Sequence, residues 1–239
     1  MCHSDTSRPP AAPGSVAADG DGPLELRAAD GTRVLAHEAR PVAPNGVGIV
    51  VLPDVRGLHD YYRQLAVRFA ETGAEAVAFD YFGRTAEDDD RSEAFEFRPH
   101  VQQTTPEGIA ADVAAAVAQL RTRGATRIFT AGFCLGGGYS WRQSADTPGL
   151  AGCLGFYGLT SLVDGAVDRM SAPLLMLIAG GDAHLPVSDA EALATAAGQQ
   201  VPVELVVFDG APHSFFDRSF AEHESACERA WSEMLRFTS

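Results

Sequence analysis

From residue 47 onward, short and uniformly apolar runs alternate with stretches whose apolar residues recur at helical spacing. Val47 to Leu52 (VGIVVL), Ala76 to Phe79, Arg127 to Ala131, Leu150 to Phe156, Pro173 to Ala179 and Val203 to Phe208 have the length and unbroken apolarity of buried strands. Asp60 to Thr72, Pro106 to Arg121, Gly136 to Ala145, Ser188 to Ala197 and Phe220 to Phe237 are predicted helices. The helix from Pro106 has the clearest punctuation. Thr105 is a candidate N-cap, Pro106 takes the first helical position and Gly124 follows the end. Its Ala-rich apolar face (GIAADVAAAVAQL) predicts packing on a sheet. Leu24 to Glu38 reads as a hairpin turning at Ala29-Asp30-Gly31. Tyr81 to Thr105, which holds the acidic run Glu87 to Asp90, shows no period and is predicted to be an irregular insertion. Met1 to Pro23, rich in Pro, Gly, Ala, Ser and Asp, is predicted to be a flexible tail. Alternation of strand and helix implies an α/β fold. A mostly parallel central sheet with right-handed crossovers and helices on both faces would form one domain from residue 24 to 239.

Composition narrows the chemistry. A chain of 239 residues can bury roughly 70% or more of its unfolded surface, so it needs no disulfide or metal to hold a core. All 18 basic residues are Arg, which excludes a Schiff-base lysine and a Walker-A lysine. The net charge of −14 argues against a nucleic-acid partner, whose phosphates require a basic face. No apolar run reaches the roughly 18 residues of a membrane span. Met1 to Gly22 lacks the apolar core of a secretory signal, so a cytoplasmic location is expected. Cys2, Cys134, Cys153 and Cys227 have no zinc-like spacing, and no metal is expected. His37, His59, His100, His184 and His223 read as surface or structural residues.

The strongest chemical signal is Gly132-Phe133-Cys134-Leu135-Gly136-Gly137-Gly138, placed between a predicted strand and a predicted helix. This is the G-x-nucleophile-x-G pattern of a nucleophile elbow, with Cys where Ser usually stands. The glycines two residues either side relieve crowding in a tight strand-to-helix turn. A thiol at a helix N-terminus is favoured as thiolate, and the Leu135 amide can point at a developing oxyanion. Such an elbow requires an acid and then a histidine further along the chain. Asp182 follows the strand PLLMLIA, and His213 follows the strand ending at Phe208. Catalytic groups in open α/β sheets gather at the carboxyl ends of the strands, and all three residues meet that condition in the required order.

With these features the chain resembles the dienelactone hydrolase family of the α/β-hydrolase fold. The resemblance lies in GFCLGGG, in GGDA around Asp182, in PHSFF around His213 and in VVLPDVRGLHDYYRQLAVRFAETGAEAVAFDYFGR. It runs from about residue 24 to the C-terminus. It implies a cofactor-independent Cys134-His213-Asp182 triad that cleaves a small ester or lactone through an acyl-thioester. The amides of Leu135 and Val55 would hold the oxyanion. The family's better-known members carry Glu where this chain has Asp54, and there it contacts the resting thiol. They also carry a substrate-binding Arg four residues after the catalytic His, where this chain has Asp217 and then Arg218. Arg84, in FDYFGR, matches the family's other carboxylate-binding Arg, while Arg56 and Arg98 are further candidates. The resemblance therefore implies a substrate bearing a carboxylate. Two other readings stand beside it. One is a general carboxylesterase on the same scaffold. The other is a non-catalytic ligand-binding or redox-sensing protein with a reactive Cys134.

Overall fold

The computed structural model describes residues 6–14, 16–217 and 220–239. Eight strands form one mixed sheet in the order β1-β2-β4-β3-β5-β6-β7-β8. They are β1 (Ala18–Arg27), β2 (Arg33–Pro41), β3 (Val47–Leu52), β4 (Glu75–Phe79), β5 (Arg127–Phe133), β6 (Gly152–Phe156), β7 (Leu174–Ala179) and β8 (Val203–Phe208). β2 pairs antiparallel with both β1 and β4, and every other neighbouring pair is parallel. This is the α/β-hydrolase architecture that the resemblance implies.

The helices are α1 (Asp60–Ala70), α2 (Arg98–Val101), α3 (Pro106–Thr122), α4 (Leu135–Asp146), α5 (Val187–Ala197) and α6 (Glu224–Thr238). Side chains alternate across each strand, so the sheet feeds two cores. Val50 and Leu52 of β3 face the layer of α3, α4 and α5, packing with Val113, Trp141 and Leu193. Ile49 and Val51 face α1 and α6, packing with Leu65, Phe69 and Trp231. The Thr105 side chain accepts the Gly108 N–H, which is the cap predicted for α3.

The structure differs from the sequence pattern at three places. β1 begins at Ala18, inside the segment whose composition predicts a tail. Gly20, Gly22 and Pro23 are tolerated there because β1 is an edge strand and needs only one row of ladder bonds. Further upstream, Pro9, Pro10 and Ala12 are buried, and Trp231 Nε1 donates to the Pro10 carbonyl at 3.2 Å. Residues 1–5 and 15 of the predicted tail lie outside the described residues. Secondly, the segment from Tyr81 to Thr105 contains the single turn α2 and is fastened to the sheet by Arg91. That guanidinium grips Asp80, just past β4, through Nε at 3.0 Å and Nη2 at 2.9 Å. Both side chains are buried, and the cation lies 4.3 Å from the Phe95 ring centre. Thirdly, the last predicted helix divides into a 3-10 turn (Phe220–Glu222) and α6.

The chain runs from β3 outward to β4 on one side and to β5 on the other. The carboxyl ends of β3 and β5 therefore flank a topological switch point, where open α/β sheets bind their ligands.

Candidate active site

Cys134 alone joins β5 to α4. Its backbone has φ 54° and ψ −112°, a conformation that costs a non-glycine residue roughly 1–3 kcal/mol. Neighbouring backbone groups hold it there. Cys134 N–H donates to the Phe156 carbonyl at 3.1 Å, and the Cys134 carbonyl accepts from Gly137 at 3.0 Å and Gly138 at 3.3 Å. A Cβ on Gly132 would overlap the Gly136 carbonyl, and one on Gly136 would overlap the Leu52 and Pro53 carbonyls. The two glycines thus let the turn close and let it sit directly on the loop after β3. Leu135 is the first residue of α4, where a helical N–H has no intrahelical acceptor.

Asp182 lies after β7 and His213 after β8. Asp182 Oδ2 is 2.6 Å from His213 Nδ1. Its Oδ1 accepts the amides of His184 at 2.7 Å and Leu185 at 3.3 Å. With both oxygens bonded, the fully buried carboxylate fixes the imidazole and leaves Nε2 for the thiol. His213 is hydrogen-bonded to the Cys134 side chain. Burial opposes charge on this imidazole, but the Cys134 sulfur and the Asp182 carboxylate outweigh it and push the His213 pKa up to about 9. Tyr157 packs on His213 with ring centres 4.9 Å apart. Cys134, Tyr157 and Ser214 are the non-glycine residues with positive φ among those described: the first belongs to the Cys134–His213 pair, and the other two adjoin His213. Tyr157 was not singled out by the sequence, although its place immediately after β6 is the same strand-end signal that identifies Asp182 and His213.

The loop that carries Val55 is held from both sides. Asp54 Oδ1 accepts the Arg56 amide at 2.9 Å, and the Tyr81 hydroxyl donates to the Pro53 carbonyl at 2.6 Å. Further along, the Leu58 amide donates to Asp80 Oδ1 at 3.0 Å. Asp54 is fully buried. Its carboxylate therefore shapes the loop whatever else it does.

Arg84 makes two ion pairs within its own chain. Its Nη1 donates to Asp112 Oδ2 at 2.7 Å, and Asp30 accepts from Nε at 3.0 Å. Asp112 lies on α3 and is 1% exposed; burial pushes its pKa up to about 6 against the opposing pull of Arg84. The guanidinium is thus engaged by two carboxylates of its own chain. Arg84→Ala would strand a buried carboxyl group, so a loss of stability toward or below the low end of ~3–5 kcal/mol is expected. Ester turnover at a temperature where the variant is folded should fall equally for charged and neutral substrates. A selective loss on the charged substrate in steady-state kinetics would instead support a substrate-binding role for Arg84.

Arg56 is buried at 2% exposure, Arg98 opens α2 on the surface, and Arg218 lies outside the described residues. Of the remaining histidines, His59 caps α1 by accepting the Tyr61 amide, His37 pairs with Asp21, and His100 bonds Thr85. Among the described residues, no group of three His, Cys, Asp or Glu side chains is arranged to hold a metal ion, and no helix is long and apolar enough to cross a membrane.

Comparison with known proteins points to one family. The chain is 29% identical over 219 residues to a Salmonella typhi protein named "Putative carboxymethylenebutenolidase", covering 84% of this chain and 81% of that one. A Bradyrhizobium protein named "Probable 2-oxo-3-(5-oxofuran-2-ylidene)propanoate lactonase" is 29% identical over 226 residues, covering 86% and 89% of the two chains. The crystal structure of a Klebsiella pneumoniae protein named "Putative Dienelactone Hydrolase" superposes with a TM-score of 0.77 at 26% identity, covering 92% of this chain and 99% of that one. The model of the dienelactone hydrolase family matches residues 34–239. The chain belongs to the dienelactone hydrolase family.

Proposed function

We propose that this protein hydrolyses a small ester or lactone, with Cys134 as nucleophile and an acyl-thioester as intermediate. The hydrogen-bonded series from Cys134 through His213 to Asp182 carries this reading. The Cys134 thiolate attacks the carbonyl carbon, and the carbonyl electron pair moves onto oxygen, facing the amides of Leu135 and Val55. As the tetrahedral species collapses, the bond to the ester oxygen breaks and His213 gives its proton to that leaving oxygen. A lactone then stays attached as an opened acyl chain. Water, deprotonated by His213, attacks the thioester, and the sulfur leaves as thiolate. The net change is addition of one water across the ester bond, and the step draws on no cofactor. Asp182 holds the imidazole orientation and stabilises its charged form.

The engaged state of Arg84 favours the second reading considered from the sequence, a hydrolase with no preference for anionic substrates. Steady-state turnover of matched neutral and carboxylate-bearing lactones separates the two. Equal kcat/KM values support the general esterase, and a strong preference for the anion supports the narrower one.

Thiol reactivity gives an independent expectation. Burial pushes the Cys153 and Cys227 thiols up to about 12. The imidazolium beside Cys134 persists until pH approaches about 9 and stabilises the thiolate below that point. Iodoacetamide should therefore alkylate Cys134 far ahead of Cys153 and Cys227. Its rate should stay nearly level as pH falls from roughly 8.5 toward the ordinary imidazole range near 6.5, where a free thiol would slow about tenfold per unit. Peptide mapping across pH checks both points. A rate that fell like that of a free thiol would contradict the ion pair.

A further inference from the structure

The catalytic reading leaves one buried acidic group unused. Asp217 is fully buried four residues beyond His213, at the position that the resemblance gives to a substrate-binding Arg. Its side chain lies instead by the Tyr62 hydroxyl, and a second fully buried carboxyl group, Asp54, acts on it through its charge. Its Oδ2 meets the Tyr62 hydroxyl at the long distance of 3.4 Å, and the Ser214 side chain gives the carboxylate a weak opposing pull. Its Oδ1 is buried with no hydrogen-bond partner among the described residues. An ionised carboxylate in such a place would be desolvated, poorly bonded and repelled by its neighbour.

The groups facing Asp217 come from several elements. α1 contributes Tyr61 and Tyr62, and the β3–α1 loop contributes Asp54. The elbow contributes Cys134, and its own loop contributes His213 and Ser214. Cys227, itself near Glu224, faces it from α6. Among these, His213 is the one that can carry positive charge, and that charge is shared with Cys134 and Asp182.

We propose that Asp217 is a positioning residue of the thiol site that stays an uncharged carboxylic acid at neutral pH, and that its ionisation in mildly alkaline solution places a second negative charge beside the Cys134–His213 pair. Burial first, then the charges of Asp54 and Cys134, raises its pKa to about 8, which places the transition within a measurable range. On ionisation the proton passes to solvent and no covalent bond in the chain changes except the O–H bond of Asp217. The new charge favours the imidazolium, disfavours the thiolate and repels an approaching anion.

This inference rests on Cys134 being the reactive thiol, but its test does not require turnover. Alkylation rates with iodoacetate and iodoacetamide are measured on the full chain across pH. Their ratio cancels the thiolate fraction and reads the local charge. In the wild type the ratio should fall about threefold or more in a step centred near pH 8. In Asp217→Asn that step should vanish, leaving only the later fall near pH 9 as His213 loses its proton. Asp54→Asn removes the repelling charge and should move the step to lower pH, giving a second readout if Asp217→Asn does not fold. A ratio profile for Asp217→Asn that superimposes on the wild type, or a step that Asp54→Asn leaves in place, overturns the proposal. Should Cys134 label normally while no ester is turned over, the hydrolase reading fails and this inference still stands or falls on the ratio.

Discussion

Cys134→Ala should lower kcat/KM on an activated aryl ester or lactone by about 10^4-fold or more, to the level left by binding and oriented amides. The size follows from what the residue does. Without the sulfur there is no covalent intermediate, and water must attack the carbonyl directly from a site shaped for a side chain. Ala fits the elbow sterically, because it keeps the Cβ that Cys134 already places there and adds no atom. The variant should therefore fold with a denaturation midpoint close to that of the wild type. Retention of most activity in an enzyme preparation free of wild-type protein would place the nucleophile elsewhere, and Ser214, next to His213 with φ 61°, would be the first residue to examine.

His213→Ala should cost nearly as much, because both half-reactions move a proton through this ring. Asp182→Asn should cost less, on the order of 10^3–10^4-fold, since the imidazole remains but loses the acceptor that fixes its Nδ1 proton. The two variants should also differ in thiol chemistry. Removing the imidazole takes away the cation that stabilises the thiolate, so alkylation of Cys134 at pH 7 should slow by about tenfold or more in His213→Ala. In Asp182→Asn the ring persists and the slowing should be smaller. Stopped-flow turnover combined with alkylation rates checks the order. An Asp182→Asn enzyme less active than His213→Ala would contradict the assigned roles.

How far the site was legible in the sequence depends on how local each signal is. The elbow is local: glycines at fixed offsets from a cysteine between a strand and a helix can be read directly, and the overlaps at Gly132 and Gly136 give the steric reason. Asp182 and His213 lie far apart in the chain, yet the strand-end rule locates both because each follows an unmistakably apolar run. Arg84 also satisfies the strand-end rule, but its partner could not be read. Asp112 looks like an ordinary charge within an Ala-rich helix, and only the packing of α3 on the sheet brings it under the guanidinium. The same limit applies to Asp217. Its sequence context shows a charge where a cation was expected, while its burial by the Tyr62 hydroxyl arises only when the loop after β8 meets α1. The opposite failure occurred at Ala18 to Pro23. Local composition predicted no structure, and pairing with β2 supplied the strand.

The covalent intermediate is the central claim, and intact-protein mass spectrometry tests it most directly. A slowly deacylating lactone or aryl ester is mixed with the enzyme, the reaction is stopped with acid, and the peptide containing Cys134 is mapped. The account predicts one acyl group per chain, attached at Cys134, absent from Cys134→Ala and released by hydroxylamine as a thioester would be. Steady turnover with the acyl group on another residue would contradict it, as would turnover in which water attacks the substrate with no adduct at any stage.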